Sequence, residues 1–250
     1  RKDNRAPVNI GPSEKMSKSK RNVIAPEGII SRYGADTIRW FMLSDTPPER
    51  DIEWTDQGAE GCWRFVQRLW RLVSEAQDLP PPGIAPRPSN AVSRSLRQAA
   101  HGAIARVTED LEALRFNRAV AQIYMLANAI GEAPQADGAT RREALEALVL
   151  LSAPMMPHLA EACWRALGQG KLAAETAWPR HDPRLLRTDS VTIAVQVNGK
   201  RRGEVVVARD ADKGAIEKAA LADDGVRRAL GQSRPKKVIV VPGRIVNIVA

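Results

Sequence analysis

The stretch that decides the fold reads LRQAAHGAIARVTEDLEALRFNRAVAQIYMLANAI over residues 96–130. In its first half, apolar residues recur three, four and seven positions apart, at Leu96, Ala100, Ala103, Ile104, Val107, Leu111 and Leu114. This spacing is typical of one face of an amphipathic α-helix. Asn117 is predicted to cap a second helix, whose inner face carries Val120, Ile123, Ala127 and Ile130. The stretch therefore predicts two consecutive helices that pack through their apolar faces.

The same period continues on both sides of this stretch. Further helices are predicted over 58–78, 141–152 and 156–167, and the breaks between helices fall at five prolines within 80–88, at Pro134 and Gly138, and at Pro154. Trp63, Trp70 and Trp164 are predicted to pack in this core or at its flank. About five helices joined by short loops predict an antiparallel helical bundle over residues 58–187.

The last sixty or so residues follow a different pattern. Val191, Ile193, Val195 and Val197 alternate with other residues, and Asn198-Gly199 supplies a two-residue turn before a second strand over 204–208. Helices over 212–221 and 224–230 follow, and then strands over 238–241 and 245–249 that turn at Pro242-Gly243. Residues 188–250 are thus predicted to form a small α+β domain in the order β-β-α-α-β-β.

Residues 1–57 form the third predicted unit. A loop is expected over 13–22, where the sequence has no apolar period, and two short helices are expected over 26–33 and 35–43. The chain as a whole is therefore predicted to be multidomain and mainly α, with boundaries at 57/58 and 187/188.

Charge is concentrated at the two ends of the chain. Residues 1–22 carry seven basic and two acidic side chains, residues 23–183 carry seventeen and twenty, and residues 184–250 carry fourteen and seven. Two basic ends around a nearly neutral middle suit two surfaces that meet phosphates, although solvated charged faces would give the same count.

Composition excludes several other classes of protein. Hydrophobic residues make up 44% of the 250 and charged residues 27%, so the chain can build cores and is no disordered tail. No apolar run approaches the roughly 20 residues that cross a bilayer. Two cysteines form neither a disulfide framework nor a four-thiolate zinc site, and without a signal peptide the chain is expected to be cytoplasmic. Its start at Arg1, without Met, suggests a piece of a longer protein.

The loop at Lys15 carries the sharpest chemical signal. Its sequence, Lys15-Met16-Ser17-Lys18-Ser19, puts two ammonium groups and two hydroxyls on one solvent-facing segment. Ammonium groups pair with phosphate, and hydroxyls donate to its free oxygens. Such a loop could close over a polyphosphate and stabilise the charge that develops on leaving pyrophosphate. A plain basic surface loop would have the same composition.

The order of these five residues resembles the KMSKS signature of class I aminoacyl-tRNA synthetases. The longer stretch 11–54 resembles the bacterial leucyl-tRNA synthetase family, as do RFNRA at 115–119, APMMPHLAE at 153–161, VQVNGKRRG at 195–203 and residues 235–249. The resemblance covers essentially the whole chain, which is accordingly identified as the C-terminal fragment of a member of that family.

This resemblance implies a leucine–tRNA ligase (EC 6.1.1.4), which activates leucine with ATP and transfers it to leucine tRNA in protein biosynthesis. Lys15, Met16, Ser17, Lys18 and Ser19 would bind the ATP phosphates, with Lys18 and Lys15 as catalytic residues. ATP with Mg²⁺ would serve the full-length enzyme, and the fragment would hold neither tightly. The HIGH motif, the nucleotide fold and the editing domain are expected upstream, so the fragment alone is expected to be a monomer without catalytic activity.

The remaining role that the resemblance implies is tRNA binding. Residues 1–57 would hold the KMSKS loop and a stem-contact region, 58–187 the anticodon-binding domain and 188–250 a C-terminal tRNA-binding domain. In the C-terminal domain the candidate contacts are Lys200, Arg201, Arg202, Lys236 and Lys237, which suit phosphates or unpaired bases at the tRNA elbow. In the bundle, Arg115 and Arg118 could contact the RNA backbone, or could equally be structural surface arginines.

Two alternatives stay open at this point. One is a valyl, isoleucyl or methionyl enzyme, although the chain ends in neither the coiled coil expected of the valyl enzyme nor the cysteine-rich zinc element of the isoleucyl enzyme. The other is a stand-alone RNA-binding module in which the KMSKS match is chance. No metal site is predicted, because His101, His158 and His181 lack ligand spacing with the cysteines, and His158 is expected to be structural. No membrane partner is expected.

Overall fold

A computed structural model describes residues 11–12, 14–76, 78–186, 190–208, 211–231, 233, 235–241 and 243–249. The predicted loop start at Ser13, the boundary at 187/188 and Pro242 of the last turn lie outside these residues. The chain divides into two compact units, Arg1–Asp182 and Pro183–Ala250. No helix in the described ranges is both long enough and apolar enough to span a bilayer.

The first unit is helical. Its helices are α1 Pro26–Tyr33, α2 Ala35–Ser44, α3 Asp56–Ser74, α4 Ala91–Glu112, α5 Phe116–Gly131, α6 Gly138–Ser152 and α7 Pro157–Ala166, followed by a single 3-10 turn at Ala173–Glu175. Helices α3 to α7 share one core, as the apolar period predicts. The core also takes Trp40 from α2, whose ring stacks on Phe65 at 5.1 Å between centroids, so α2 packs as part of this unit. The division at 57/58 stays a prediction.

The tryptophans of the bundle differ in exposure. Trp164 is buried, at 4% exposed, and Trp63 packs half-buried against the core. Trp70 lies at the flank, and 42% of its surface is exposed.

Several predicted helix boundaries are wrong. Helix α3 begins at Asp56 rather than Gly58, because the Thr55 hydroxyl accepts the Gly58 N–H at 3.1 Å and caps the helix there. It also ends at Ser74, four residues before the predicted end. Asn117 does not cap α5. The helix begins one residue earlier, at Phe116, because the Arg115 N–H donates to the carbonyl of Asp110 at 2.7 Å and the Arg115 side chain is tied to the Asp110 carboxylate.

Gly138 begins α6 instead of breaking a helix. The preceding residue, Asp137, caps α6 by accepting the Thr140 N–H at 2.9 Å, and its own N–H donates to the Ser93 hydroxyl. Glycine is required at this position because a Cβ on Gly138 would overlap the carbonyl oxygen of Asp78. The apolar pattern alone places the start of α6 three residues later, at Arg141.

The second unit is a four-stranded sheet with two helices on one face. Strands β1 Ser190–Val197 and β2 Lys200–Ala208 form the predicted hairpin, helices α8 Lys213–Ala222 and α9 Asp224–Leu230 follow, and strands β3 Lys237–Val241 and β4 Ile245–Val249 close the unit. Strand β2 begins four residues before the predicted start at Glu204, because pairing resumes directly after the two-residue turn, with Lys200 opposite Val197. The strand order is β2-β1-β4-β3, with β1 and β4 parallel and the other pairs antiparallel. The predicted order of elements is confirmed. Its core holds every second residue of β1 and β4, such as Ile193, Val195 and Ile248.

Candidate functional site

The KMSKS loop folds into a turn centred on Ser17. The Ser17 hydroxyl accepts the Lys20 N–H at 3.3 Å and lies 3.2 Å from the Ser19 hydroxyl. The Lys18 carbonyl accepts the Arg21 N–H at 3.2 Å, and Arg21 takes a left-handed φ of +52°. Serine hydroxyls commonly hold turns in this way. Both hydroxyls of the motif therefore lie together on the loop surface.

Asn22 brackets the loop from its far end. Its Oδ1 accepts the Ser17 N–H at 2.8 Å, and its Nδ2 donates to the Lys15 carbonyl at 3.4 Å. One amide side chain thus holds two backbone positions that flank Met16. This role could not be predicted from the sequence, because an Asn at the end of a polar loop gives no sign of which backbone groups it reaches.

The lysines of the loop differ in their partners. Lys20 forms an ion pair with Glu14, with 2.7 Å between Nζ and Oε2. Lys15 and Lys18 are exposed and make no ion pair within the described residues. Free ammonium groups can approach a phosphate without first breaking an internal pair. The two predicted catalytic lysines are therefore the ones available to an anionic ligand.

No metal site accompanies the loop in the part of the chain that the structure describes. No group of three or more His, Cys, Asp or Glu side chains is close enough there to hold an ion. The donors of the loop itself are ammonium, hydroxyl and amide groups, which suit phosphate oxygens rather than a hard cation. These residues do not fit a protein-held Mg²⁺.

The five predicted tRNA-binding residues of the second unit lie at one end of its sheet. Lys200 pairs with Val197 in the hairpin, Val197 pairs with Ile248 of β4, and Ile248 pairs with Val238 of β3. The starts of β2 and β3 therefore share one row across four strands, three strand spacings or roughly 14 Å apart. The clusters at 200–202 and 236–237, distant in sequence, lie at opposite edges of this end, which we call the basic sheet end.

Within the basic sheet end the cations again differ in their partners. Arg201 forms an ion pair with Glu204, with 2.6 Å between Nη2 and Oε2. Lys200, Arg202, Lys236 and Lys237 are exposed and make no ion pair in the described ranges. Lys236 is fixed by its backbone, since its N–H donates to the Val249 carbonyl at 2.8 Å.

Two glycines, one in β2 and one in α9, let these two elements approach each other. A Cβ on Gly203 would overlap the Asp223 carboxylate, which caps α9, and a Cβ on Gly225 would overlap the Arg202 carbonyl oxygen. The start of α9 can therefore approach β2 closely only because both residues lack a side chain. This contact explains the final glycine of the VQVNGKRRG segment.

The bundle arginines predicted to contact RNA are partly committed to internal pairs. Arg115 donates from Nε to Asp110 at 2.8 Å and from Nη2 to Glu109 at 2.9 Å. Arg118 lies 3.4 Å from the same Asp110 carboxylate, and 62% of its side chain is exposed. Arg115 thus stabilises the α4–α5 turn, whereas Arg118 keeps most of its surface available.

His158, which is expected to be structural, lies at the surface near the start of α7. Its side chain is 79% exposed, and Nδ1 lies 2.9 Å from Oδ1 of the buried Asp36. The residue joins α7 to α2 through this contact, so the expected structural role agrees with its position although the ring itself is not buried.

The fold and the loop together define a tRNA ligase module. Residues 93–218, half of the chain, match the anticodon-binding domain of tRNA ligase, and residues 9–55 match the class I tRNA synthetases (I, L, M and V). The chain belongs to this family.

Individual relatives point to the leucine branch of the family. The chain is 60% identical over 249 residues to a leucine–tRNA ligase of Parvibaculum lavamentivorans and 54% identical over 247 residues to one of Rhizorhabdus wittichii, covering 97% and 98% of this chain. It spans only 28% of the length of each of these relatives.

A solved structure supports the same branch. This structure is a ternary complex of Agrobacterium radiobacter K84 agnB2 LeuRS with tRNA and LeuAMS, and it matches 94% of this chain and 31% of its own with a TM-score of 0.75 and 30% identity. The matches favour the leucyl family over the valyl, isoleucyl and methionyl enzymes and over an unrelated RNA-binding module. The resemblance that the KMSKS loop indicates is confirmed.

Proposed function

We propose that this chain supplies the C-terminal part of a leucine–tRNA ligase, in which its KMSKS loop binds ATP phosphates and its other units bind leucine tRNA. The observation that carries the proposal is the pair of unpartnered lysines in the described residues, Lys15 and Lys18, on a loop whose turn is fixed by Ser17 and Asn22. The leucine–tRNA ligase relatives support it.

The loop would act mainly in the transition state of leucine adenylation. As the leucine carboxylate attacks the α-phosphorus of ATP, negative charge grows on the leaving pyrophosphate. Ammonium groups of Lys15 and Lys18 stabilise that charge, and the hydroxyls of Ser17 and Ser19 can donate to the same oxygens. Groups that bind the pyrophosphate oxygens more strongly in the transition state than in the ground state raise kcat rather than affinity alone. Met16 lies between Lys15 and Ser17, whose backbone groups are held by Asn22.

Mg²⁺ would accompany ATP on its phosphates. The described residues bring together no group of His, Cys, Asp or Glu side chains that could hold the ion. Leucine would be recognised by the part of the ligase outside these 250 residues. A monomeric state and a cytoplasmic location remain predictions.

The test uses a chimera in which this chain replaces the matching 28% of the Parvibaculum lavamentivorans ligase. Leucine-dependent exchange of pyrophosphate into ATP is expected, and valine, isoleucine and methionine should give none. Lys18→Ala should lower kcat/KM by roughly 100-fold, the usual loss for one transition-state donor.

Lys20→Ala is the matched control, because Lys20 lies on the same loop but is neutralised by Glu14. It should lower kcat/KM only a few-fold. Equal losses in the two variants would show that general loop charge, rather than the lysines of the motif, supports the reaction. The isolated 250-residue chain should show no exchange above background.

The C-terminal unit is the main candidate for tRNA binding. Four cations at the basic sheet end have no acidic partner in the described residues, and phosphates are the partners that such clusters meet in nucleic-acid complexes. Arg118 is the candidate from the bundle, and Arg115 a weaker one because two carboxylates already hold it.

A further inference from the structure

The first turn of α2 is tied to the corner between α6 and α7. The Asp36 carboxylate accepts the Leu159 N–H at 2.6 Å and contacts Nδ1 of His158 at 2.9 Å. One turn later, Arg39 donates from Nε to the Met155 carbonyl at 3.1 Å and from Nη2 to the Pro154 carbonyl at 2.8 Å. Four hydrogen bonds thus join segments that lie 115 to 123 residues apart.

Hydrogen bonds and a glycine also fix the connection between α1 and α2. Gly34, between the two helices, has φ +83° and ψ 159°, a conformation that is essentially restricted to glycine. The buried Thr37 hydroxyl donates to the Tyr33 carbonyl at 2.7 Å, and the Gly34 N–H donates to the Ile30 carbonyl at 2.8 Å. The direction in which α1 leaves α2 is therefore fixed by this elbow.

Residues 14–33, the KMSKS loop and α1, form what we call the loop arm. Tyr33 is the only residue of α1 that is buried, and Val23 and Ile30 are 49% and 46% exposed. Apart from the Tyr33 ring, which lies 6.4 Å from that of Trp63 in α3 between centroids, the loop arm buries little surface, so its position depends chiefly on the elbow and on the attachment of α2 to the bundle.

We propose that Asp36 and Arg39 are positioning residues for the KMSKS loop. They fix the base of the loop arm on the α6–α7 corner, and the elbow transmits that position to Lys15 and Lys18. The kinetic consequence rests on the proposed function. A displacement of about 1 Å in catalytic groups can cost on the order of 100-fold in rate. The attachment of α2 to the bundle can therefore affect the reaction although neither residue contacts the substrate.

The position of the loop arm can be measured in the 250-residue chain without any substrate. Spin labels on Glu27→Cys in α1 and Met125→Cys in α5 occupy exposed sites, while the native Cys62 and Cys163 are buried. The distance distribution should be narrow in the parent chain. Asp36→Ala and Arg39→Ala should each broaden it and remove the parent peak.

Asp36→Asn should restore the narrow distribution. An asparagine oxygen can accept the Leu159 N–H, and its amide group can donate to Nδ1 of His158 in the other ring tautomer. Glu161→Ala is the matched control, since this carboxylate on α7 also accepts two backbone N–H groups, from Ala173 and Ala174 at 2.9 Å each, but makes none of the four bonds that hold α2. Unchanged distributions in Asp36→Ala and Arg39→Ala, or equal broadening in Glu161→Ala, would overturn the proposal.

The chimera adds the kinetic readout. Asp36→Ala and Arg39→Ala should lower kcat for leucine activation by about 10-fold to 100-fold with little change in the KM for leucine, and Asp36→Asn should recover most of the rate. Glu161→Ala should leave kcat unchanged. A broadened distance with an unaltered kcat would refute a positioning role in the reaction. A chimera without leucine-dependent exchange would refute the proposed function, and the distance measurement would still decide where the loop arm is held.

Discussion

Single acidic side chains determine which cations of the chain are free to bind a phosphate. Lys20 and Arg201 lie close to Lys18 and Arg202 in sequence, but each is neutralised by one glutamate. Asn22 shapes the KMSKS backbone although it lies three residues beyond the motif. A count of charged residues cannot separate these cases, because the free energy of binding a phosphate depends on which cations must first leave a partner.

Cys163 provides a prediction at the same scale. The residue is fully buried in α7, and burial raises the pKa of its thiol from an ordinary 9.0 to about 12. Between these values the unfolded chain loses the proton while the folded chain keeps it. The contribution of Cys163 to stability is therefore complete below pH 9 and is lost as the pH rises toward 12.

The measurement is the denaturant midpoint of the chain at about pH 8 and about pH 10.5, on either side of the ordinary thiol pKa. The parent should lose more stability over this interval than Cys163→Ala, which lacks this thiol and keeps only that of Cys62. At the lower pH the native chain should react with a thiol reagent only as fast as it unfolds, because the pKa of Cys62 is also raised, chiefly by burial. Rapid labelling of the folded chain at that pH would contradict this picture.

Secondary-structure elements are placed by their capping residues and close contacts as much as by their apolar faces. Thr55, Asn90 and Asp137 each accept a backbone N–H at the start of a helix of the bundle. In the second unit, Gly203 and Gly225 let α9 approach β2. The apolar period gives the middle of a helix, whereas these local bonds give its ends.

Asp137 provides the prediction for elements. Burial opposes its ionisation, but hydrogen bonds from Thr140 and Ser93 outweigh that effect and lower its pKa below 3.8. Asp137→Ala should cost about 1 kcal/mol in the free energy of unfolding, as is usual for a lost N-cap. The stabilisation is present above pH 3.8 and falls as the pH drops below it.

Urea unfolding at about pH 7 and about pH 3, above and below the ordinary pKa of the carboxyl, measures this difference. Asp137→Asn is the control, because an amide oxygen can still accept the Thr140 N–H, and it should retain most of the stability at both pH values. A loss in Asp137→Asn as large as that in Asp137→Ala would indicate that the charge of the carboxylate, rather than the cap, stabilises α6.

At the scale of the whole molecule, charge is divided between two units with separate cores. The first unit carries the KMSKS loop on a bundle that is close to neutral, and the second carries the basic sheet end. The parallel pairing of β1 with β4 creates that end, because it aligns the start of β2 with the start of β3. The predicted hairpins alone do not show that the clusters at 200–202 and 236–237 lie at the same end of the sheet.

The corresponding prediction concerns leucine tRNA and salt. Replacing Lys200, Arg202 and Lys237 by Ala should weaken binding of the chain to leucine tRNA and flatten the plot of log affinity against log salt, by about one unit of slope for each phosphate that is no longer neutralised. Filter binding at several salt concentrations measures both quantities.

A second triple variant separates location from net charge. Lys213 and Lys218 of α8 and Arg244, which precedes β4 at the opposite end of the sheet, are exposed cations outside the basic sheet end, and their replacement by Ala removes the same total charge. This variant should keep nearly the parent slope. Equal losses in the two triples would assign binding to the overall charge of the unit rather than to the basic sheet end.

Local sequence was enough to establish the elements and the motif. The period of 96–130 predicts helices, Asn198-Gly199 predicts a hairpin, and Lys15 to Ser19 indicates a class I synthetase. These features depend on residues close together in the chain, so local rules are sufficient for them. The candidate tRNA-binding residues follow from the sequence, but the sequence gives only their charge and not their partners.

Tertiary packing was needed to establish how distant residues combine. Strands β1 and β4 pair in parallel and bring Lys200 into one row with β3, and Asp36 and Arg39 bind a corner more than a hundred residues away. Each of these contacts joins polar groups that find partners only after the cores have formed. The physical reason is that burial of apolar side chains selects the packing, and the packing then determines which hydrogen bonds and ion pairs can form.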